Sequence, residues 1–510
     1  MKQVFRAGVA AVFAVMALST VLMAGAAMAE DEKGGDKADA KAEISLPPLP
    51  ADKSVKQSIV LGGRTLAYTA TVGSLPVRDD KGKTIAEVVF TAYTLDGPAN
   101  PQNGPKRPIT FAFNGGPGAA SVYLNLGAIG PKRVQFGAAG DAPSDSPALV
   151  DNPATWLDFT DMVFIDPVGT GFSRSLVDLD TTKKTFFTVD SDIDYLSRIV
   201  FDWLVKNGRM ASPKYVTGES YGGFRAPRIT YALQTTYGVG VNGVVMVSPF
   251  LDAKAEAGGD FSPMPWITSL PSMAAAELER QGKPINAQAM APIETFARGD
   301  MAVDLLKGSA DQAALDDLVA HVSTFTGLDQ RLVRTLGGRI DSQTYLRERR
   351  RADGKIGSWY DSNVVADDPF PWSADRRSGD PILDAIIAPT TSAYVDFATR
   401  IVGWKVEGRY NALSGDVGKN WEKNWFDSAE SVSAFRKAVA ADPKMKVLIV
   451  HGYGDLSCPY FASRLIVDQM PKPAAGRVRL GVYPGGHMFY SRPDSGAAFR
   501  RDVAALFGGN

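Results

Sequence analysis

From about residue 56 apolar and polar positions alternate through "SIVLGGRTLAYTATVGSLPV", and again through "IAEVVFTAYTLD". A period of two predicts half-buried strands, and Gly62-Gly63 between the first runs predicts a hairpin turn. This opening reads as an antiparallel meander. The texture then changes to short, continuous apolar runs: "PITFAFNGG", "DMVFIDPVG", "PKYVTGES", "VNGVVMVSPF" and, much later, "MKVLIVHGYGD" and "VRLGVYPGGH". Runs without polar interruption suit strands buried on both faces of a parallel sheet. Between them lie helical patterns, "DSDIDYLSRIVFDWLVKN", "FRAPRITYALQTTY" and "YFASRLIVDQM", with Asp190, Ser191 and Asp192 as expected cap residues for the first. Strand alternating with helix predicts an α/β fold, with a mostly parallel central sheet and helices on both faces.

Between residues 253 and 400 these runs stop. "SMAAAELERQ", "INAQAMAPIETFARGDMAVDLL", "ADQAALDDLVAHVSTF" and "DQRLVRTL" read as amphipathic helices, followed by loop-rich "KIGSWYDSNVVADDPFPW". Because sheet-like runs resume afterwards, 253–400 is expected to be a mainly helical cap inserted between two parts of one core, 55–252 and 401–510. The alternative is a separate helical domain on a linker.

The first 29 residues read as a secretory signal. Lys2 and Arg6 precede the apolar "AGVAAVFAVMALSTVLMAGA", and Ala27-Met28-Ala29 offers a small-x-small cleavage site. An uncleaved anchor is the competing reading. Residues 30–54 are polar, then Pro-rich, and are expected to be a disordered leader. No other segment is expected to span a membrane, so the mature protein is placed in the periplasm or outside the cell.

Composition adds exclusions. With 55 basic and 56 acidic residues the net charge is −1, which points away from nucleic acid and anionic membranes as partners. One cysteine, Cys458, rules out an intramolecular disulfide. Three histidines limit imidazole chemistry to His321, His451 and His487.

Gly218-Glu219-Ser220-Tyr221-Gly222 fits a nucleophile turn between strand and helix, where flanking glycines permit a strained backbone that lifts the serine hydroxyl above the sheet. Such a fold orders its triad serine, acid, histidine. His487, in the Gly-rich loop after the last strand pattern, is the candidate base; His321 falls on an insertion helix and His451 ends a buried strand. Asp455, in the loop after the penultimate strand, is the candidate acid, since Asp442 and Asp468 lie before that strand or on the next helix. Oxyanion donors are expected from the amide of Tyr221 and from "FAFNGGPGAAS", with Gly116 foremost. Neither that loop nor "DPVGTGFS" continues into the Gly-Lys-Ser/Thr of a phosphate loop. No metal and no cofactor is expected.

"NGGPGAAS", "GAIGP", "DPVGTGFSRS", "GESYGG", "GDLSCP" and "GGHM", in this order over residues 114–488, resemble the serine carboxypeptidase family. The resemblance implies an α/β-hydrolase fold with a cap, and release of C-terminal residues from peptides. It implies Ser220 as nucleophile, Asp455 as acid and His487 as base. It also implies Gly116 and Tyr221 at the oxyanion hole, and Asn114, Gly115 and Glu219 at the substrate's terminal carboxylate. The sequence departs from the family where a second glutamate usually stands (Ala128), two residues before the asparagine (Ala112), at a usual half-cystine (Ala119) and at the first aspartate of Gly-Asp-x-Asp (Tyr453). Glu219 can hydrogen-bond another carboxylate only while protonated, so acidic conditions are expected to favour binding, more mildly than with two glutamates. An aminopeptidase, an esterase or acyltransferase, and an inactive binding protein are the alternatives. Cys458, three residues after Asp455, is either a buried filler or a thiol lining the pocket. Side-chain preference and oligomeric state are not legible.

Overall fold

The structure is a computed structural model and describes residues 46–508, apart from 98–105, 136–142, 145, 257, 259–260, 375–378 and 428. The expected signal segment and most of the leader lie outside the described residues.

Three long strands, β1 (Lys53–Leu61), β2 (Arg64–Arg78) and β3 (Thr84–Leu95), form the antiparallel meander. Gly62 and Gly63 both have positive φ (56° and 76°), the conformation a two-residue turn between right-twisted strands requires. Then come β4 (Ile109–Phe113), β5 (Asp161–Ile165), β6 (Lys214–Glu219), β7 (Gly243–Val247), β8 (Lys446–Gly452) and β9 (Val478–Tyr483). The sheet runs in the order β1-β2-β3-β5-β4-β6-β7-β8-β9, with the short strand Arg174–Ser175 paired to β3. From β5 to β9 every pairing is parallel.

The continuous apolar runs are explained by two cores, one on each face. Phe111, Phe113, Val244, Met246, Val447 and Ile449 point into one; Ala112, Val245, Val247, Leu448 and Val450 point into the other. Helices α1 (Val189–Lys206) and α2 (Tyr221–Thr235) cover the first face. The second is covered in part by the C-terminal helix Pro493–Gly508 and by Tyr394, Phe397 and Trp404. The α1 cap differs from expectation: the Thr188 side chain accepts from the Ser191 amide, and Asp190 and Asp192 lie within the first turn instead. Aspartates there still oppose the positive end of the helix dipole.

Between β7 and β8, helices Met264–Arg280, Ala287–Arg298, Asp300–Lys307, Gln312–Thr326, Gln330–Thr335 and Ser342–Glu348 build a third apolar cluster. It takes in Tyr453, Leu456, Tyr460 and Phe461, which follow β8 in sequence. The loop-rich stretch after it includes a small hairpin, Lys355–Gly357 with Val365–Asp367. Helix Pro381–Asp396, which the sequence pattern did not single out, leads back towards the second face of the sheet.

Candidate active site

Four loops leave the carboxyl ends of β4, β6, β8 and β9 and meet at one cavity of about 120 Å³. The carboxyl ends of parallel strands are where such sheets collect functional side chains. Pairing of Phe113 with Gly218 brings the loop after β4 against the turn after β6.

Ser220 lies in that turn with φ 61° and ψ −125°, a conformation that costs a non-glycine residue on the order of 1–3 kcal/mol. The crowding around it explains the glycines. A Cβ on Gly115 would come within 2.5 Å of the Tyr221 amide nitrogen, and one on Gly218 or Gly222 would run into backbone carbonyls. Hence β4 and β6 approach closely only because these side chains are missing. Neither the amide of Gly116 nor that of Tyr221, the first residue of α2, is taken by an acceptor among the described residues. Both residues line the cavity.

His487 and Asp455 are fully buried, and His487 Nδ1 stands 2.7 Å from Asp455 Oδ2. The other oxygen, Oδ1, accepts from the amides of Ser457 (2.8 Å) and Cys458 (3.0 Å). The carboxylate is therefore held on both edges, and the imidazole is fixed with Nε2 free. The His487 amide donates to Tyr360 O, its carbonyl accepts from Ser248 Oγ at 2.8 Å, and the Tyr360 ring meets the imidazole edge-on at 5.1 Å. Burial alone would push the His487 imidazolium down. The Asp455 charge and hydrogen bond, with Glu219 and Asp380 adding to them, outweigh burial and hold it above the ordinary histidine range. No hydrogen bond joins Ser220 to His487 among the described residues. The serine hydroxyl lies against the Cys458 thiol, and all three residues line the cavity. Such contacts are commonly loose before substrate arrives.

Glu219 is buried beneath the same cavity. Asn114 Nδ2 donates to its Oε2 at 2.8 Å, while Asn114 Oδ1 accepts from the Leu124 amide at 2.9 Å, which fixes the amide's orientation. A partner that sequence reasoning missed is Tyr490, whose hydroxyl donates to Glu219 at 2.8 and 3.0 Å. A Cβ on Gly127 would meet the Tyr490 ring at 3.8 Å, so this ring packs beside Ala128 in sequence, along the segment where the family's second glutamate was expected. Burial is the largest influence on Glu219 and raises its carboxyl; His487, Tyr490 and Asn114 pull it down, and the net result stays above the ordinary range.

Two further lining residues were also missed. Tyr123 has a buried hydroxyl without a partner among the described residues, close enough to Glu219 to be raised by its charge as well as by burial. Glu256, on the short helix Ala253–Glu256, also lines the cavity. The remaining histidines lie elsewhere. His451 is in the core with Nε2 2.9 Å from Ser463 Oγ, and burial pushes it down to about 3. His321 stacks on Phe296 at 4.3 Å in the helical insertion. Cys458 is a buried, free thiol that also lines the cavity; burial, Glu256 and Asp455 push it up. No group of three or more metal-ligating side chains is assembled among the described residues.

A mostly parallel sheet, a serine on a strained turn after β6, and a hydrogen-bonded Asp–His pair at the ends of β8 and β9 define the α/β-hydrolase class. The family described as serine carboxypeptidase matches residues 98–262. Serine carboxypeptidase-like 50 of Arabidopsis thaliana is 30% identical over 163 residues, 31% of this chain and 32% of that protein. The pheromone-processing carboxypeptidase kex1 of Sclerotinia sclerotiorum is 36% identical over 124 residues, 24% of this chain and 17% of that one. The matches thus span a third or less of these relatives' own length. The crystal structure of Kex1(delta)p, a prohormone-processing carboxypeptidase from Saccharomyces cerevisiae, superposes with a TM-score of 0.50 at 14% identity, covering 86% of this chain and 91% of that one. It shares the fold. The segment carrying Asn114, the glycine loop and Ser220 matches the serine carboxypeptidase family, and the chain as a whole has an α/β-hydrolase fold.

Proposed function

We propose that the protein is a serine carboxypeptidase that releases C-terminal residues from peptides through an acyl-enzyme. In this reading the Ser220 hydroxyl attacks the last peptide carbonyl, and His487 Nε2 takes the hydroxyl proton. Asp455 holds the imidazole in the matching tautomer and stabilises its charged form. The free amides of Gly116 and Tyr221 receive the oxyanion. His487 returns the proton to the departing amine, and water then hydrolyses the ester with the same histidine as base.

The observation that carries the choice of a carboxypeptidase over an esterase is Glu219. A buried carboxyl on the residue directly before the nucleophile would hinder a general esterase. Its raised affinity for a proton equips it to donate to a substrate carboxylate, beside the second N–H of Asn114 and the amide of Gly115. The unpartnered Tyr123 hydroxyl adds a fourth donor at that end. Asn114, standing where aminopeptidases of this fold usually carry a histidine, favours a carboxylate binder over an aminopeptidase. The insertion between β7 and β8 serves in this reading as a cap, reaching the cavity through Glu256, Tyr360 and Leu383, and the first 29 residues direct export. Among the described residues no helix is long and apolar enough to cross a membrane.

The test compares an N-blocked dipeptide with its C-terminal amide. The free acid should be cleaved and the amide spared, and Ser220→Ala should lower turnover by about 10⁴-fold or more. Equal cleavage of acid and amide would remove the carboxypeptidase reading and leave an esterase or amidase.

A further inference from the structure

The residues that line the cavity around Ser220 fall into two groups, each joined by its own contacts. Glu219, Asn114 and Tyr123 form one. In the other, Phe250 packs on Trp425 (6.0 Å between ring centroids) and Phe426 (5.0 Å), and the short helix bearing Glu256 packs against the Trp425 turn. Glu219 is held by Asn114 and Tyr490, whereas Glu256 hydrogen-bonds to neither, so the two carboxyls stand in different parts of the lining. If the substrate's terminal carboxylate lies at Glu219, the released residue occupies that part. The side chain of the preceding residue, which becomes the acyl group on Ser220, must then turn towards Phe250, Trp425, Phe426 and Glu256.

Glu256 makes no hydrogen bond or ion pair among the described residues, although it keeps partial exposure to the cavity. The titratable groups around it are Asp252, Asp455 and the Cys458 thiol; Lys254 on the same helix is exposed to solvent. Among the described residues these neighbours are all acids, and no cation pairs with it. A carboxyl with no partner, at the end of an aromatic-walled slot, suits a long side chain with a cationic tip: the stem packs on the rings, the charge meets the carboxylate, and the ring faces attract the cation as well.

We propose that Glu256 sets acyl-side selectivity, and that the preferred peptides carry lysine or arginine immediately before the residue released. This rests on Ser220 as nucleophile and on the orientation given by Glu219. Burial, reinforced by Asp455 and Asp252, holds the Glu256 carboxyl well above its usual range, so the empty slot carries a neutral acid at low pH. The preference for a basic residue therefore grows as pH rises and Glu256 loses its proton.

N-blocked ethyl esters of lysine, arginine and norleucine test this, because they need acylation of Ser220 but no recognition of a terminal carboxylate. Failure here is thus distinguishable from failure of the carboxypeptidase reading, which blocked dipeptides decide. The expected result is a kcat/KM at least ten-fold higher for the lysine and arginine esters than for norleucine, a ratio that rises with pH and falls to near unity in Glu256→Gln. Norleucine equal to or better than lysine across the pH range overturns the proposal. So does a preference that Glu256→Gln retains. The ranking by the unaltered protein and its pH course stand as a test even where the variant folds poorly.

Discussion

At the scale of single residues, the arrangement around Glu219 replaces a carboxyl pair by a carboxyl and a phenol. Two glutamates side by side share a proton because their charges repel. Tyr490 has no such repulsion to relieve; its proton is kept by burial and by the Glu219 charge, and it donates to the carboxylate. Donation to the charged form favours that form, which restrains the upward push of burial on Glu219. The sign of the pH dependence follows. Glu219 must be protonated to bond a substrate carboxylate, so KM for a blocked dipeptide should rise as pH climbs through the Glu219 titration. Tyr490→Phe removes a donor that favours the anion, so that limb should move to higher pH. Glu219→Gln, always a donor, should flatten it. An unmoved KM profile in Tyr490→Phe would mean that the tyrosine only fills space. Esters without a free carboxylate should show none of these shifts, whereas a general loss of folding would affect both substrate types.

At the scale of elements, Arg225 couples the parts of the site. It lies one turn into α2 and pairs with Asp192 of α1 at 2.7 Å, both fully buried. It also donates to the Asn114 carbonyl at 2.6 Å and stacks over the Tyr221 ring at 4.8 Å. One guanidinium therefore locks the nucleophile helix, its neighbour and the glycine loop together. Arg225→Met should cost about 3–5 kcal/mol in denaturant unfolding, because it leaves the Asp192 charge buried and alone. It should also lower kcat more than it raises KM, since the freed loop carries the Gly116 amide.

These element-scale ties show what a sequence can reveal. The five buried strands β4 to β8 announce themselves because each is apolar on both faces, unlike the half-exposed edge strand β9, and the nucleophile turn because crowded backbone demands glycine at 115, 218 and 222. Both signals are local. Tyr490 lies 271 residues from the carboxylate it serves, and nothing in "MFYS" distinguishes its hydroxyl from any other. Helix Pro381–Asp396 escaped because "PILDAIIAPTTSAYVD" is apolar nearly all round and carries Pro389 within it, so no amphipathic period stands out. The α1 cap was misplaced by two to four residues because Thr188, Asp190, Ser191 and Asp192 are all competent caps, and only the backbone turn chooses among them.

At the scale of the whole molecule, five acids share a direction. Asp166, Asp192, Glu219, Glu256 and Asp361 are raised by burial, while Asp96, Asp151, Glu279, Asp316 and Asp396, paired with lysine or arginine nearer the surface, are lowered. Asp166 is the clearest case. It accepts from the Ser121 amide at 2.8 Å and from the Tyr410 hydroxyl at 3.4 Å, and burial pushes it up to about 7 from 3.8. The folded state thus holds this proton more tightly than the unfolded chain. The advantage is complete below the unfolded value and is lost as pH rises through about 7, at a limiting slope of about 1.4 kcal/mol per pH unit. Asp166→Asn keeps the acceptor without the titration, so its Tm should vary less than that of the unaltered protein between pH 4 and 8. A parallel fall of Tm in both would exclude Asp166 as a source of the slope. Acid conditions thereby favour both the fold and the protonated form of Glu219.

The lone thiol has a practical consequence. Since Cys458 is the one sulfhydryl in the chain and stands beside Ser220, a small neutral mercurial or fluorinated label attaches at a single address inside the cavity. Its scattering or resonance would report on ligands that enter the cavity beside Ser220, without any engineered change to the protein.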